Sequence, residues 1–467
     1  MDTTALSHRS LTETAAEIRE RKLSPVEVTE ALLDRIAAID AQLNAYLTLT
    51  ATSALAQARA AEAEIAAGRY RGPLHGIPIG IKDLCATRGV PTTCASRVLA
   101  DWIPDFDATV VRRLNEAGAV VLGKLNMTEF ALSGYHPSLP VPRNPWNLEA
   151  HASGSSSGSG VAVAAGLCFA AVGTDTGGSI RGPAAWNGTV GLKPTYGRVS
   201  RAGVFPLAMS LDHVGPLTRT VTDAAAMFAA MAGFDEDDPT SLQAPIPGLE
   251  AMCSTDIRGL RIGYDETYNA GGAMPDLVAA VEETGRVLER AGARLVPVTL
   301  PPIDGILPHW FTICSAEALV AHADLYPRRS ADYGRTFRSL LELGSRIRGT
   351  EYVRANESRR SFAGALQSTF SQIDAFLCPG TFGTAPPAVA IDPQGELTPE
   401  FAPFMRYSSP FNFSGHPTLS LPCGFSTAGL PFGAQLVGSH LGEARLLNLG
   451  CRFQRETDWH LSRPLIG

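Results

Sequence analysis

Residues 159–179 read SGVAVAAGLCFAAVGTDTGGS. The stretch opens as a helix of small residues that stops at Gly166. A buried strand follows near 168–174, and a Gly-rich turn closes it. The same order recurs in DATVVRRLNEAGAVVLGKLN at 107–126, as helix, Gly stop and strand. GIPIGIKD at 76–83 is a short apolar run bounded by Gly and Pro, which predicts another buried strand. Alternation of strand and helix predicts an α/β fold: a single large mixed, mostly parallel sheet flanked by helices.

Working outward, residues 1–70 read as an N-terminal helical segment packed on the core. In LSPVEVTEALLDRIAAID at 23–40, Ser24 suits the cap, Pro25 the first helical position, and Glu27 a capping box. Residues 71–467 then form one catalytic-type α/β domain, with a possible sub-lobe from about 240. The loop-rich stretch FDEDDPTSLQAPIPGLEAMCSTDI at 234–257 marks that boundary. Beyond it, LRIGYDE, a helix at 275–291 and RLVPVTL form one strand–helix–strand unit. Long helices follow from about 308 to 372. DAFLCPG, TLSLPCG and GAQLVGS read as late strands, and EARLLNLGCRFQRET as a closing helix.

The 467 residues carry a formal net charge of −7 and are 45% hydrophobic, enough for a large core. The mild acidity and scattered basic residues argue against nucleic acid or an anionic membrane as partner. The eight cysteines form no C-x-x-C pair and show no metal-ligand spacing with histidine. They are expected to be buried thiols in a reducing compartment. The N-terminus lacks an apolar signal core, and no apolar run reaches the roughly 18 residues of a membrane span. A cytoplasmic location is expected.

The chemistry centres on three segments. GTDTGGSIRGP at 173–183 places Ser179 after the adjacent glycines Gly177 and Gly178. Such a turn can aim several N–H groups one way, as an acyl-transfer nucleophile requires, although a tight turn with a capping serine has the same letters. Ser179 needs a base. His151 and His213 are the nearest histidines in sequence to these Ser/Gly segments. Lys82 ends the run GIPIGIK, where burial would lower its pKa; Asp83 beside it is a ready ion-pair partner for the opposite reading. GSSSGSG at 154–160 reads as a linker, a phosphate cradle or a hydroxyl bridge between lysine and nucleophile. It lacks the Gly-Lys-Ser/Thr ending of a P-loop.

Together these segments resemble the amidase signature family. The pattern SGSSSGSGVAVAAGLCFAAVGTDTGGSIRGPA at 153–184, with GIPIGIKD, carries the resemblance. AGAVVLGKLNMTEFALSG, PRNPWN, VGLKPTYGRVSRAGVFPLAMSLDHVGPLTRTVTD and GLPFGAQLVG extend it over most of the chain. The resemblance implies a serine amidohydrolase that cleaves a carboxamide, aryl amide or carbamate C–N bond of a small, non-peptide molecule. It implies Ser179 as nucleophile, Ser155 as bridging serine after a cis peptide bond, and Lys82 as base. The N–H groups of Thr176, Gly177, Gly178 and Ser179 would form the oxyanion hole. By position, Met127, Thr128, Phe130, Tyr135, Ile180 and Phe205 would line the substrate pocket. No metal or cofactor is expected, and the state would be monomer or homodimer. Ser153 and Ser157 stand where the family usually or often has glycine, and Ser157 adds a hydroxyl that competes for the bridging role. Arg181 and Asp175 are expected to pin the turn. The Pro-rich loop SGYHPSLPVPRNPWN at 133–147 departs from the amidotransferase branch. A carbamate or urea hydrolase, and an amidotransferase A-type subunit that works within a complex, are the alternatives.

Overall fold

The structure is a computed structural model that describes residues 6–390 and 405–466. The first five residues of the N-terminal segment therefore lie outside it. Eleven strands form one sheet: β1 (Tyr46–Leu49), β2 (Pro78–Lys82), β3 (Val120–Leu125), β4 (Ala170–Asp175), β5 (Val190–Lys193), β6 (His213–Thr218), β7 (Arg261–Tyr264), β8 (Arg294–Pro297), β9 (Ala375–Pro379), β10 (Thr418–Phe425) and β11 (Pro431–Gly438). Their spatial order is β1-β3-β2-β4-β6-β5-β10-β11-β9-β7-β8. β7 and β8 extend the same sheet.

The sheet is mixed, as expected, but not mostly parallel. The parallel pairs are β2 with β3 and β4, and β7 with β8 and β9. The other six neighbouring pairs are antiparallel. Connections account for part of this. Helices Ser157–Ala164 and Pro275–Arg290 cross between sequence segments whose strands run parallel. β10 and β11 are joined by a short turn and can only run antiparallel. β5 and β6 lie within segments without a clear strand period, and β6 carries Pro216 opposite Val172.

The N-terminal segment is helical at Leu11–Arg19, Pro25–Leu43 and Ala51–Ala66, but Tyr46–Leu49 leaves it to become the sheet's edge strand. Ser24 caps its helix by accepting from the Val26 and Glu27 N–H groups. The reciprocal capping box occurs one helix earlier, between Ser10 and Glu13. β2, β3 and β4 are buried at every position, so chemistry at their ends sits against a dry core. All eight cysteines are free thiols, and all but Cys253 are buried. Among the described residues, no helix is long and apolar enough to cross a membrane.

Candidate active site

Lys82 is the last residue of β2, and its side chain is fully buried. Its Nζ donates to Ser155 Oγ at 2.7 Å, Ser156 Oγ at 2.8 Å and Thr174 Oγ1 at 2.7 Å. Burial lowers the Lys82 pKa to about 7, against the opposing pull of Cys85, Asp175 and Asp212. Asp83 does not pair with Lys82. It lies 3.6 Å from Lys124 and accepts from Thr93.

The 153–157 loop is held from both sides. Ser153 has φ +66°, and the Gly154–Ser155 peptide bond is cis. The Thr128 N–H donates to Ser155 O at 3.3 Å, and the Ser156 N–H donates to Ser179 O at 3.3 Å. The second contact brings the 153–157 loop against the turn that carries Ser179. Ser156 Oγ also accepts from the Thr174 N–H and donates to Thr174 O, so it straps the loop to β4. Ser157 begins the Ser157–Ala164 helix and is buried beside the Tyr135 phenol. The second hydroxyl on Lys82 is therefore that of Ser156, not Ser157. Gly158 is needed for close approach: a Cβ there would stand 2.5 Å from both Ala45 O and Asn126 O.

The turn that carries Ser179 is organised by Asp175, at the end of β4. Its carboxylate accepts from the Gly178 N–H at 2.8 Å, the Ile180 N–H at 3.0 Å, Arg181 Nε at 3.0 Å and Nη2 at 2.9 Å, and Asn412 Nδ2 at 2.8 Å. Burial alone would raise its pKa, but the Arg181 charge and hydrogen bonds hold it far below the usual carboxylate range. Arg181 also donates to Ser408 O and Asn412 Oδ1, which matches a turn-pinning residue. Gly178 adopts φ +131°, and a Cβ there would meet Ser408 Oγ at 2.6 Å.

One correction concerns the oxyanion donors. The Gly178 N–H is committed to Asp175, which leaves the N–H groups of Thr176, Gly177 and Ser179 as candidates. The carbonyls of this turn are held elsewhere. Trp310 Nε1 donates to Thr176 O at 2.8 Å, and Ser408 Oγ donates to Gly177 O at 2.5 Å. Thr176 Oγ1 donates to Asp212 at 2.5 Å.

Ser155, Ser179 and the 176–178 backbone line one cleft. Thr128 and Tyr135 line it as expected. Met127, Phe130, Ile180 and Phe205 do not. Met127 is fully buried in the core. Phe130 packs in an aromatic cluster with Phe205, His322, Tyr333 and Phe337. Ile180 fills space above Gly173, Gly191 and Gly215 in the sheet, and Phe205 borders an adjoining cavity that shares Ala131, Thr176 and Leu207 with the cleft. Their apolar character fitted a pocket and a core equally well. Trp186, Leu207, Trp310, Phe311, Met405 and Ser408 also line the cleft. Most lie far along the chain from Ser179, and only the tertiary fold assembles them; no local motif announces Trp310 or Met405.

His151 borders the cleft, but burial lowers its pKa to about 4, and its Nδ1 accepts from the Ser153 N–H. His213 sits with Nδ1 2.7 Å from Leu211 O. The side chain that meets the Ser155 and Ser156 hydroxyls is thus an amine rather than an imidazole. Among the described residues, no group of three His, Cys, Asp or Glu is placed to hold a metal. A buried, readily neutral amine bonded to a hydroxyl at the edge of an apolar cleft can accept a proton from that hydroxyl.

The family model described as Amidase matches residues 27–447. The protein named "Putative amidase AmiD" of Mycobacterium tuberculosis is 42% identical, over 100% of this chain and 98% of its own length. The glutamyl-tRNA(Gln) amidotransferase A-type subunit of Roseiflexus sp. is also 42% identical, over 99% of each chain. The crystal structure of a bacterial aryl acylamidase of the amidase signature family superposes with a TM-score of 0.88 at 28% identity, covering 98% of this chain and 99% of that one.

Proposed function

The chain belongs to the amidase signature family and is an amidohydrolase of that kind, and from that premise we propose that it hydrolyses neutral, non-peptide amides or carbamates through an acyl-enzyme on Ser179. The observation that carries this is the 2.7 Å contact between buried Lys82 and Ser155, on the cleft that Ser179 also lines. Neutral Lys82 takes the Ser155 proton as Ser155 takes that of Ser179. Ser179 Oγ then bonds to the substrate carbonyl carbon. The carbonyl oxygen becomes an oxyanion held by the Thr176, Gly177 and Ser179 N–H groups, each well-placed donor contributing about 3–4 kcal/mol. The proton returns through Ser155 to the leaving nitrogen, without which an amide nitrogen does not depart. The C–N bond breaks, and water repeats the sequence on the ester.

Substrate character follows from the wall. Among the described residues, the cleft lining holds aromatic and aliphatic groups, hydroxyls and backbone, but no Asp, Glu, Lys or Arg. His151 is neutral there at physiological pH. Such a wall favours uncharged acyl groups over glutamine, which would bring both an ammonium and a carboxylate. This supports a free-standing amidase over a component of an amidotransferase, the role its Roseiflexus relative is named for. A panel of anilides, primary amides, aryl carbamates and glutamine tests it, with Ser179→Ala as control. Turnover of the uncharged substrates that vanishes in Ser179→Ala is expected. Ammonia release from glutamine alone would reverse the preference. Full activity of Ser179→Ala would end the nucleophile assignment.

A further inference from the structure

Most polar side chains of the cleft are committed to the protein itself. The hydroxyls of Thr128, Tyr135 and Thr381 donate to Leu132 O, Ser153 O and Gly383 O. The indoles of Trp186 and Trp310 donate to Gly383 O and Thr176 O. The Thr176 and Ser408 hydroxyls are held by Asp212 and Gly177 O. Apart from Ser155 and Ser179, the Ser133 and Ser153 hydroxyls remain, and each can turn to donate or accept. Among the described lining residues, one ring N–H is left over, and it belongs to His151.

His151 is held in place. Its backbone N–H donates to Pro386 O at 2.9 Å, and its carbonyl accepts from Asn144 Nδ2 at 3.2 Å. Its ring lies 5.9 Å from that of Trp186, edge to face, and 6.4 Å from that of Tyr135. The Ser153 N–H donates to its Nδ1 at 2.9 Å. A backbone N–H can only donate, so Nδ1 is the bare acceptor and the proton of the neutral ring sits on Nε2. The lowered pKa of about 4 keeps the ring in that neutral form at physiological pH. The Nε2 atoms of His213 and His322 are buried without a partner, whereas that of His151 is not sealed in, and the residue is only partly buried. His151 Nε2 makes no hydrogen bond to the described residues.

A donor fixed in direction on an apolar wall discriminates between ligands. One without a matching acceptor strips the N–H of water and returns nothing. We infer that His151 is a specificity-determining residue whose Nε2–H donates to a further neutral oxygen of the substrate, an ether or carbonyl oxygen other than the scissile carbonyl. This rests on the amidohydrolase reading above and narrows it to amides and carbamates that carry such an oxygen.

The test uses Ser179→Ala, which keeps the cleft and lacks the proposed nucleophile, with two pairs of anilides titrated by calorimetry. In one pair a methoxy group on the acyl chain is exchanged for ethyl; in the other the same exchange is made on the aniline ring. Roughly fivefold to tenfold tighter binding of the methoxy member is expected in at least one pair, and the pair that responds gives the side of the scissile bond that His151 faces. His151→Asn, added to Ser179→Ala, keeps an acceptor for the Ser153 N–H but has no atom at the place of Nε2, and should bring the ratio to one or below. His151→Gln sets an amide N–H near that place and should restore most of the preference. A purely structural role would weaken both members of a pair alike. Equal affinities within both pairs, no saturable binding of any of the four, or a preference that survives His151→Asn overturns the inference. Turnover of the same anilides by the wild type is measured alongside. Selective binding without turnover would refute the amidohydrolase reading and not the role of His151, whereas turnover without selectivity would refute the role of His151 alone.

Discussion

Replacing Lys82 by Met should abolish turnover and also remove a specific pH dependence of stability. Lys82 is fully buried, with its pKa lowered from 10.5 to about 7. Between those values the unfolded chain holds a proton on this amine that the folded protein increasingly releases. Stability attributable to Lys82 therefore rises with pH across the window and is lost as pH falls from 10.5 towards 7. With 1.36 kcal/mol per pKa unit, a folded value near 7 makes the wild type gain about 2 kcal/mol between pH 7 and pH 9 from this group alone. Lys124 and Lys193 are buried and lowered as well, but both persist in Lys82→Met, so their share cancels in the comparison. Urea unfolding followed by tryptophan fluorescence, at both pH values for both proteins, gives the double difference. An increment of about 2 kcal/mol present in the wild type and absent in the variant is expected. The same increment in both would mean that Lys82 stays protonated when folded, and it could not then serve as the base.

Three further outcomes follow from the site. Ser155→Ala should lower kcat by roughly a thousandfold or more, and Ser156→Ala by far less, because Ser155 lines the cleft while Ser156 is a strut to Thr174; steady-state kinetics on one anilide compares them. Asp175→Asn leaves the buried Arg181 guanidinium without its counter-charge and should cost about 3–5 kcal/mol, read by urea unfolding. Gly177→Ala puts a Cβ 2.6 Å from Met405 Cε and 2.9 Å from Trp310 Cζ2; the methionine end can yield but the indole is tied to Thr176 O, so KM should rise roughly tenfold with little change in Tm.

Much of this site was legible in the sequence because its parts are local. Lys82 at a strand end, the Ser/Gly loop and the turn before Ser179 each carry their own punctuation, and the 24 residues from Ser155 to Ser179 hold one helix and one strand. The sheet's direction was harder to read. β5 and β6 are short strands interrupted by Gly and Pro, and β1 hides between helices, so their pairing depends on tertiary contact rather than period. The pocket was the least legible. A buried Phe130 and a cleft-lining Trp310 look alike as letters, and which one faces the cleft is decided by helices more than a hundred residues downstream of Ser179. Gly178 shows a subtler limit: its place in the turn suggested an oxyanion donor, but its N–H is already given to Asp175.

The most direct measurement is mass analysis of the protein quenched during turnover of an aryl carbamate or anilide. An adduct of the acyl group's mass on the peptide containing Ser179, absent in Ser179→Ala, is expected. Turnover with no adduct at any quench time, or an adduct on Ser155 or Ser156 instead, would contradict it.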